Sequence, residues 1–366
     1  MRKLFHKIHL WLGLISGLFV FIIALTGALY AFQEEISSFN SYSHVKVEDR
    51  PLLLPSQLQK IAEEQLGGKK MNAIEFKGRD RAVEALFYGY KPDYYYKVFL
   101  NPYSGKVLKS KNMNKDFFRF VIQGHYYLWL PPMIGQPVVV SSTVIFFLVL
   151  LTGLFIWIPK SLSKWKNRLV FRWKKGVNMF KVNYDLHVVG GFYVTLFGLL
   201  FALTGLVWGL PPFAQGIHRL FGGTKSLAYG IESPANLSKS GLTVSQATDC
   251  LWTRLLKEYP KAASLSISLP QGDAGLITAN VLPTDKMYWK SDYRYFEPRT
   301  LREIKSENIY GKLADADNAD KLLRMNYDIH TGRILGLPGK ILAFLASLFI
   351  AGLPLTGFII WRKKTR

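Results

Sequence analysis

The sequence predicts an all-α four-helix transmembrane bundle, written as two parallel repeats, with two α+β domains outside the membrane. Three observations predict it. Apolar residues make up 49% and aromatic residues 14% of 366 positions, with a positive mean hydropathy, which is unusual for a soluble protein. Four uncharged stretches reach the roughly 20 residues a helix needs to cross a hydrocarbon core of about 30 Å. The same short motifs then recur in both halves of the chain.

Taken in order, segment 1–32 carries the first apolar stretch, 10–32, after a basic start at Arg2, Lys3 and Lys7. It is too long for a signal peptide, lacks a small-x-small cleavage site and is echoed later in the chain, so it is expected to stay as a span. Segment 33–136 is soluble in composition. The second span is 137–158, followed by a basic loop, 159–186, in which Lys160, Lys164, Lys166, Arg168, Arg172, Lys174, Lys175 and Lys181 face a single acid, Asp185. The third span fills 187–210, with its apolar run at 188–210. A second soluble segment, 211–336, precedes the fourth, 337–366, whose apolar run 341–361 ends in Arg362, Lys363, Lys364 and Arg366.

The charge follows this layout. Forty-seven Lys and Arg against 25 Asp and Glu give +22, yet the excess gathers beside the spans. That is the positive-inside pattern, which places both termini and the middle loop in the cytoplasm and both soluble segments outside. A basic face on anionic lipid accounts for the charge, and no nucleic-acid partner is expected. The single Cys250 excludes an intramolecular disulfide framework and thiolate metal clusters. In the soluble segments, aromatic and β-branched runs at 94–99 and 287–296 predict strands, and helical periodicity marks 55–64, 244–259 and 316–325. Asn101-Pro102-Tyr103-Ser104-Gly105 after the first strand reads as a tight turn, with Glu297-Pro298-Arg299-Thr300 after the second.

The duplication is residue-specific. His9 opens the first span and Thr26-Gly27 closes it within ALTGALY; His187 opens the third and Thr204-Gly205 closes it within ALTGLVW, at the same spacing of seventeen residues. His125 precedes LLTGLFIW, with Thr152-Gly153, and His330 precedes PLTGFIIW, with Thr356-Gly357, at spacings of 27 and 26. Four of the seven histidines therefore fall into two pairs, His9 with His187 at the inner face and His125 with His330 at the outer. Imidazole is an axial ligand of haem iron, and helix bundles build cofactor sites from facing helices. The pairs predict two b-type haems with His9, His187, His125 and His330 as iron ligands. The Thr-Gly steps reach the level of the opposite histidines and are expected to leave room for the macrocycles. Asp185 in NYDLH and Asp328 in NYDIH are candidate acceptors for the imidazole N–H. His6, His44 and His218 lack counterparts and are expected to be structural. Trp11, Trp129, Trp157, Trp208 and Trp361 suit an interfacial belt.

No Walker loop or dinucleotide fingerprint occurs, and the middle loop cannot house a flavin or nicotinamide domain. Electrons would come from a membrane quinol or a partner reductase. Two other function classes stay open: a siderophore or iron transporter component, and a non-catalytic regulator whose outer domains bind peptides.

These residues also carry a family resemblance. HLWLGLISGLFVFIIALTGALYAF, repeated as DLHVVGGFYVTLFGLLFALTGLVWG, resembles the opening of the PepSY-associated transmembrane proteins of bacteria. YKVFLNPYSGKVL is similar to the PepSY strand-turn-strand element, and IHTGRILGLPGKILAFLASLFIAGLPLTGFIIWRKK to the family's closing span. The resemblance implies a multi-pass bacterial inner-membrane protein with two periplasmic PepSY-like domains and a link to iron acquisition. Some members are di-haem reductases of ferric siderophores, so a ferric siderophore or other ferric chelate is the implied substrate. Two departures stand out. Val188-Val189 replaces the usual basic-aromatic step after the third-span histidine, and YRYFEPRTLREI replaces the Asp-Pro-x-Thr-Gly turn in the second PepSY copy, which implies asymmetric substrate binding. Tyr94, Tyr95 and Tyr96 are candidate substrate contacts.

Overall fold

The structure is a computed structural model that describes residues 1–159, 165–234, 236–238, 240–272 and 275–364. Lys160, Lys164 and Arg366 of the basic segments lie outside the described residues. The chain divides into two compact units, Met1–Gln33 with Phe117–Ala214 and Asn326–Arg366, and Glu34–Asp116 with Gln215–Met325.

The first unit is the bundle. Its long helices run Arg2–Tyr30, Pro132–Trp157, Met179–Gly209 and Gly336–Lys364, and the four are long and apolar enough to cross a membrane. Each exceeds its predicted apolar run because flanking polar residues continue the helix beyond the core. The third helix widens into a π turn over Leu186–Gly190, at His187; no such turn interrupts the first helix at His9. Neighbours are first with second, second with third, third with fourth and fourth with first, so the first and third helices are diagonal. Between the histidine levels Val20, Val194, Ala346 and Ile350 form a buried layer, flanked by Phe146, Phe197, Phe201 and Phe349. At the end of the second helix Arg168 donates to the carbonyls of Ile156 and Trp157, and Arg2 to that of Ile158. These are the acceptors a helix C-terminus leaves without intrahelical donors.

Two short helices, formed by residues assigned to the soluble segments, belong to the bundle instead. Phe117–Tyr127 carries His125 and packs on the first and second long helices, and Asn326–His330 packs on the third. Their apolar and histidine-bearing faces are buried against the spans, which moves the unit boundaries inward from 136 and 336.

The second unit corrects the expectation of two separate domains. Strands β1 (Ala73–Phe76), β2 (Val83–Tyr90), β3 (Asp93–Leu100) and β4 (Val107–Asn112) come from the first soluble segment. β5 (Ser264–Ser268), β6 (Ile277–Leu282), β7 (Asp292–Phe296) and β8 (Glu303–Ile304) come from the second. All eight form one antiparallel sheet in the order β4-β3-β2-β1-β5-β6-β7-β8. The first strands of the two meanders pair with each other, Ile74 opposite Ile267 and Phe76 opposite Leu265. Pairing these edges satisfies backbone groups that two separate sheets would each leave open.

Helices Pro55–Gln65 and Val244–Glu258 cover one face of the sheet. Leu58, Leu251 and Leu255 are buried there against Ile74, Val83, Val98, Ile267 and Phe296, each such side chain contributing about 1.5–3 kcal/mol by leaving water. The helices are also joined across the repeat, since Asp249 accepts from Ser56 N at 2.9 Å and Ser56 Oγ at 2.6 Å. All three predicted helices are present, the third as Asn318–Arg324, and so is the predicted 94–99 strand. The 287–296 strand is shortened because Tyr288–Lys290 closes a 3₁₀ turn before β7.

The two turns after β3 and β7 are alike despite their sequences. Asn101 and Glu297 each exchange backbone hydrogen bonds with the same relative partners, Gly105 and Lys106 in one, Leu301 and Arg302 in the other. Gly105 has φ +72° and Leu301 φ +56°, so the second copy keeps the left-handed step with a residue that adopts it at a cost.

Candidate functional site

The four repeated histidines meet as two pairs. His9 and His187 have ring centroids 6.3 Å apart, with planes at 77°. For His125 and His330 the values are 6.2 Å and 70°. His9 and Thr26 lie seventeen residues apart on one helix, a rise of about 25 Å, and Thr26 lies at His125. The two pairs are therefore separated by nearly the thickness of an apolar core.

Each imidazole is oriented by a Thr-Gly step of its own repeat. His9 Nδ1 faces the Val149 carbonyl at 3.0 Å and Thr152 Oγ1 at 3.2 Å. His125 Nδ1 faces the Ile23 carbonyl at 2.8 Å and Thr26 Oγ1 at 3.5 Å. His187 Nδ1 meets Thr356 Oγ1 at 2.9 Å, and His330 Nδ1 meets Thr204 Oγ1 at 2.7 Å. Every one of these threonine hydroxyls has a carbonyl of its own preceding turn to donate to: Ile22 for Thr26, Leu148 for Thr152, Leu200 for Thr204 and Gly352 or Leu353 for Thr356. With the hydroxyl proton spent there, the oxygen accepts from the imidazole. Nδ1 thus carries the ring proton in all four histidines, which leaves Nε2 as the lone-pair nitrogen.

The glycines explain how the rings come so close to a helix. A Cβ on Gly27 would stand 3.0 Å from His125 Cε1, on Gly153 3.0 Å from His9 Cε1, and on Gly357 3.1 Å from His187 Cε1. On Gly205 it would stand 3.8 Å from His330 Cε1. The small residues expected to make room for a macrocycle make room for the imidazoles themselves.

Each repeat is a crossed clamp. The histidine at the start of one span lies on the Thr-Gly step of the other, and the pairs are completed only between repeats. At one end the diagonal first and third helices supply the histidines while the second and fourth supply Thr-Gly. At the other end the first and third supply Thr-Gly.

The aspartates do not take the role expected of them. Asp185 is engaged by Lys181 and by Trp173 Nε1 at 3.1 Å, and Asp328 lies 3.9 Å from Arg333. Threonine and carbonyl oxygens already occupy the imidazole N–H positions. The asparagine of the same pentapeptides was missed: Asn183 Nδ2 donates to the Thr356 carbonyl at 3.1 Å and Asn326 Nδ2 to the Thr204 carbonyl at 3.0 Å. The shared NYDxH context contained that signal, four residues before each histidine.

The family model described as PepSY-associated TM region matches residues 6–364. The chain belongs to this family. No curated protein matches it. All four histidines and all four Thr-Gly steps of this PepSY-associated chain fall inside the matched region.

The remaining candidates sit as follows. Trp208, expected in an interfacial belt, also packs its ring edge 5.2 Å from His330, and Phe201 lies 5.7 Å away; Tyr126 is 5.7 Å from His125. His6 Nδ1 meets the Arg2 carbonyl at 3.1 Å, and His44 Nε2 the Ser38 carbonyl at 2.7 Å. His218 is buried on Asp320 at 3.0 Å. Of the tyrosines named as substrate contacts, Tyr94 and Tyr96 pack on the helix-covered core, while Tyr95 alternates to the other face. Among the described residues no group of three or more His, Cys, Asp or Glu side chains gathers at one point.

Proposed function

We propose that this membrane protein holds two b-type haems, one on His9 and His187 and one on His125 and His330, and transfers electrons across the membrane. The proposed acceptor is a ferric siderophore or other ferric chelate at the outer, periplasmic face of a bacterial inner membrane. The basic ends and middle loop would face the cytoplasm.

The observation that carries this reading is the repeated pair geometry. Two imidazole nitrogens bound to one metal at about 2 Å each set ring centroids about 6 Å apart, and the pairs stand at 6.3 and 6.2 Å. Two protein ligands leave a metal's other positions to a group that brings its own donors, as a porphyrin does. When bound, haem supplies a one-electron ferric/ferrous couple.

The chain's own groups do the rest. Thr152, Thr26, Thr356, Thr204 and the adjacent carbonyls hold the Nδ1 protons, fixing the ligand tautomer and raising the basicity of Nε2. The buried layer of Val20, Val194, Ala346 and Ile350 excludes water between the two levels. A quinol or partner reductase supplies the electrons, and each ferric centre takes one, leaving as the more labile ferrous ion.

The test is the visible spectrum of detergent-purified protein, air-oxidised and dithionite-reduced, with a pyridine haemochrome count. The expected result is two haems per chain. Changing His9 or His187 to Ala should remove one, and His125 or His330 to Ala the other. Protein that stays free of haem after expression with ample haem would sink the proposal and favour the transporter or regulatory alternatives.

A further inference from the structure

Three tyrosines and an arginine form a cluster in the sheet unit. Tyr229, Tyr293 and Tyr310 make a triangle of edge-to-face contacts, with centroids 5.9, 5.1 and 5.4 Å apart. Tyr293 leaves β7 on the face away from the covering helices, since Phe296 and Arg294 take the other. Behind Tyr293 lies Arg324, 6% exposed, its guanidinium carbon 5.6 Å from the ring centroid.

The hydrogen bonding of this cluster is incomplete in a way a packed core avoids. Arg324 donates to the carbonyls of Ser291 and Gly311. Among the described residues it has no carboxylate at ion-pair distance, and its Nε has no partner. Ser291 Oγ and Asn280 Oδ1 are also buried without partners; Asn280 is paired with Tyr293 across β6 and β7. The phenol oxygens of Tyr229, Tyr293 and Tyr310 have no protein partner among the described residues, but they are not fully buried and so reach solvent. Tyr295, beside them, differs: its hydroxyl is spent on the Tyr310 carbonyl at 2.9 Å. Burial pushes the Tyr293 and Tyr310 phenols up, so both keep a proton to donate at neutral pH.

A buried cation without an ion-pair partner is costly, and at Arg324 only the more distant carboxylates of Asp292 and Asp320 offset it. Here it stands behind three tyrosines, of which Tyr229, 70% exposed, opens the cluster to solvent. We propose that Tyr229, Tyr293, Tyr310 and Arg324 form the docking site for an anionic, oxygen-rich metal chelate of the aryl-oxygen class. The phenols donate to the chelate's oxygens and its rings stack on theirs, while Arg324 compensates its charge. The inference rests on the proposed ferric-chelate reduction for the identity of the ligand and replaces Tyr94, Tyr95 and Tyr96 as the contacts. It would make substrate binding asymmetric, as the family resemblance implies, because all four residues come from the second soluble segment.

The test uses gallium(III) tris(catecholate), which carries the charge and shape of a ferric catecholate and cannot be reduced. Isothermal titration with the full-length protein in detergent should show one saturable site. Tyr229→Phe with Tyr310→Phe should weaken it at least tenfold, with unchanged melting temperature because only two exposed-side hydroxyls are lost. Arg324→Gln should abolish it, and neutral gallium tris(acetohydroxamate) should bind at least tenfold more weakly than the catecholate. Absence of saturable binding, a double variant within twofold of the parent, or equal affinity for the neutral complex overturns the proposal. Because gallium binding needs no electron, binding without haem would leave this site standing and sink the electron-transfer reading; two haems without binding would do the reverse.

Discussion

The two halves of the chain hold their histidines by different means. In the first half the nearer acceptor is a backbone carbonyl, Val149 for His9 at 3.0 Å and Ile23 for His125 at 2.8 Å, with the threonine farther off. In the second half it is the threonine hydroxyl, at 2.9 Å for His187, where the Leu353 carbonyl also takes part, and 2.7 Å for His330. The second half adds Asn183 and Asn326 on the threonine carbonyls and a π turn at His187. Phe5 and Val121 stand at the corresponding positions of the first half and cannot donate. Since each pair takes one histidine from each half, each joins a backbone-held ring to a side-chain-held one. A carbonyl acceptor survives any substitution that keeps the helix, whereas a threonine acceptor is open to change, so the second half is where ligand strength can be tuned.

The largest effect should come from removing the threonine that stands alone. Thr204→Val leaves His330 Nδ1–H buried with no acceptor, while Thr26→Val leaves His125 its Ile23 carbonyl. On the proposed ligation, Thr204→Val should weaken haem binding at the His125–His330 site by roughly 10–100-fold, and Thr26→Val by less than about threefold. Haem uptake titrations of the apoprotein measure this, and equal losses would erase the distinction between the halves.

A second comparison cuts across the first. Gly27, Gly153 and Gly357 touch their imidazoles at 3.0–3.1 Å as judged by an added Cβ, but Gly205 keeps 3.8 Å. Alanine at the first three should force the ring or the helix to shift, at about 1–2 kcal/mol. Gly205→Ala should be close to neutral. Thermal melting with the reduced haem spectrum as a second readout will show whether crowding or hydrogen bonding dominates each clamp. Asn326→Ala should cost less, about 1 kcal/mol for one net hydrogen bond, and Val121→Asn in the first half should gain nothing unless the carbonyl of Thr26 can be reached. A melting temperature unmoved by Asn326→Ala would remove asparagine from the clamp.

Much of the bundle was legible because its constraints are periodic. Apolar runs mark the four spans, and the equal spacings from His9 to Thr26 and from His187 to Thr204 mark the histidines that pair. What spacing could not give was the partner of each Nδ1. Asp185 and Asp328 are adjacent in sequence and ionisable, but a helix turn points them away from the ring, while threonines more than a hundred residues distant lie against His187 and His330. The single sheet was hidden for a similar reason. The β1–β5 pairing joins Ile74 to Ile267, and nothing local in either strand announces that its partner lies in the other half.

The sheet repeats the contrast between halves in its ion pairs, and acid should read it out with the smallest effect. In the first half a carboxylate lies between two ammonium groups: Glu84 meets Lys77 at 2.5 Å and Lys97 at 2.8 Å. In the second a guanidinium lies between two carboxylates, Arg294 meeting Glu258 and Glu303 at 2.7 Å each. Burial pushes the Glu84 carboxyl up, but Lys97 and Lys77 outweigh it and hold it down at about 2. Burial likewise raises Glu303, and bonds from Arg294 and Lys312 bring it to about 2. Both folded values lie below the ordinary 4.5, so their stabilisation is complete above that pH and is lost as pH falls from there through about 2. Glu84 is buried and Glu303 partly exposed, where solvent screens the pair. Glu84→Gln should therefore flatten the acid limb of the melting curve more than Glu303→Gln, and should lower stability at pH 7 by leaving the ammonium groups of Lys77 and Lys97 facing each other without the carboxylate between them. A Glu303 variant with the larger change would place the stronger electrostatic lock in the second half, beside the proposed chelate site, rather than in the first.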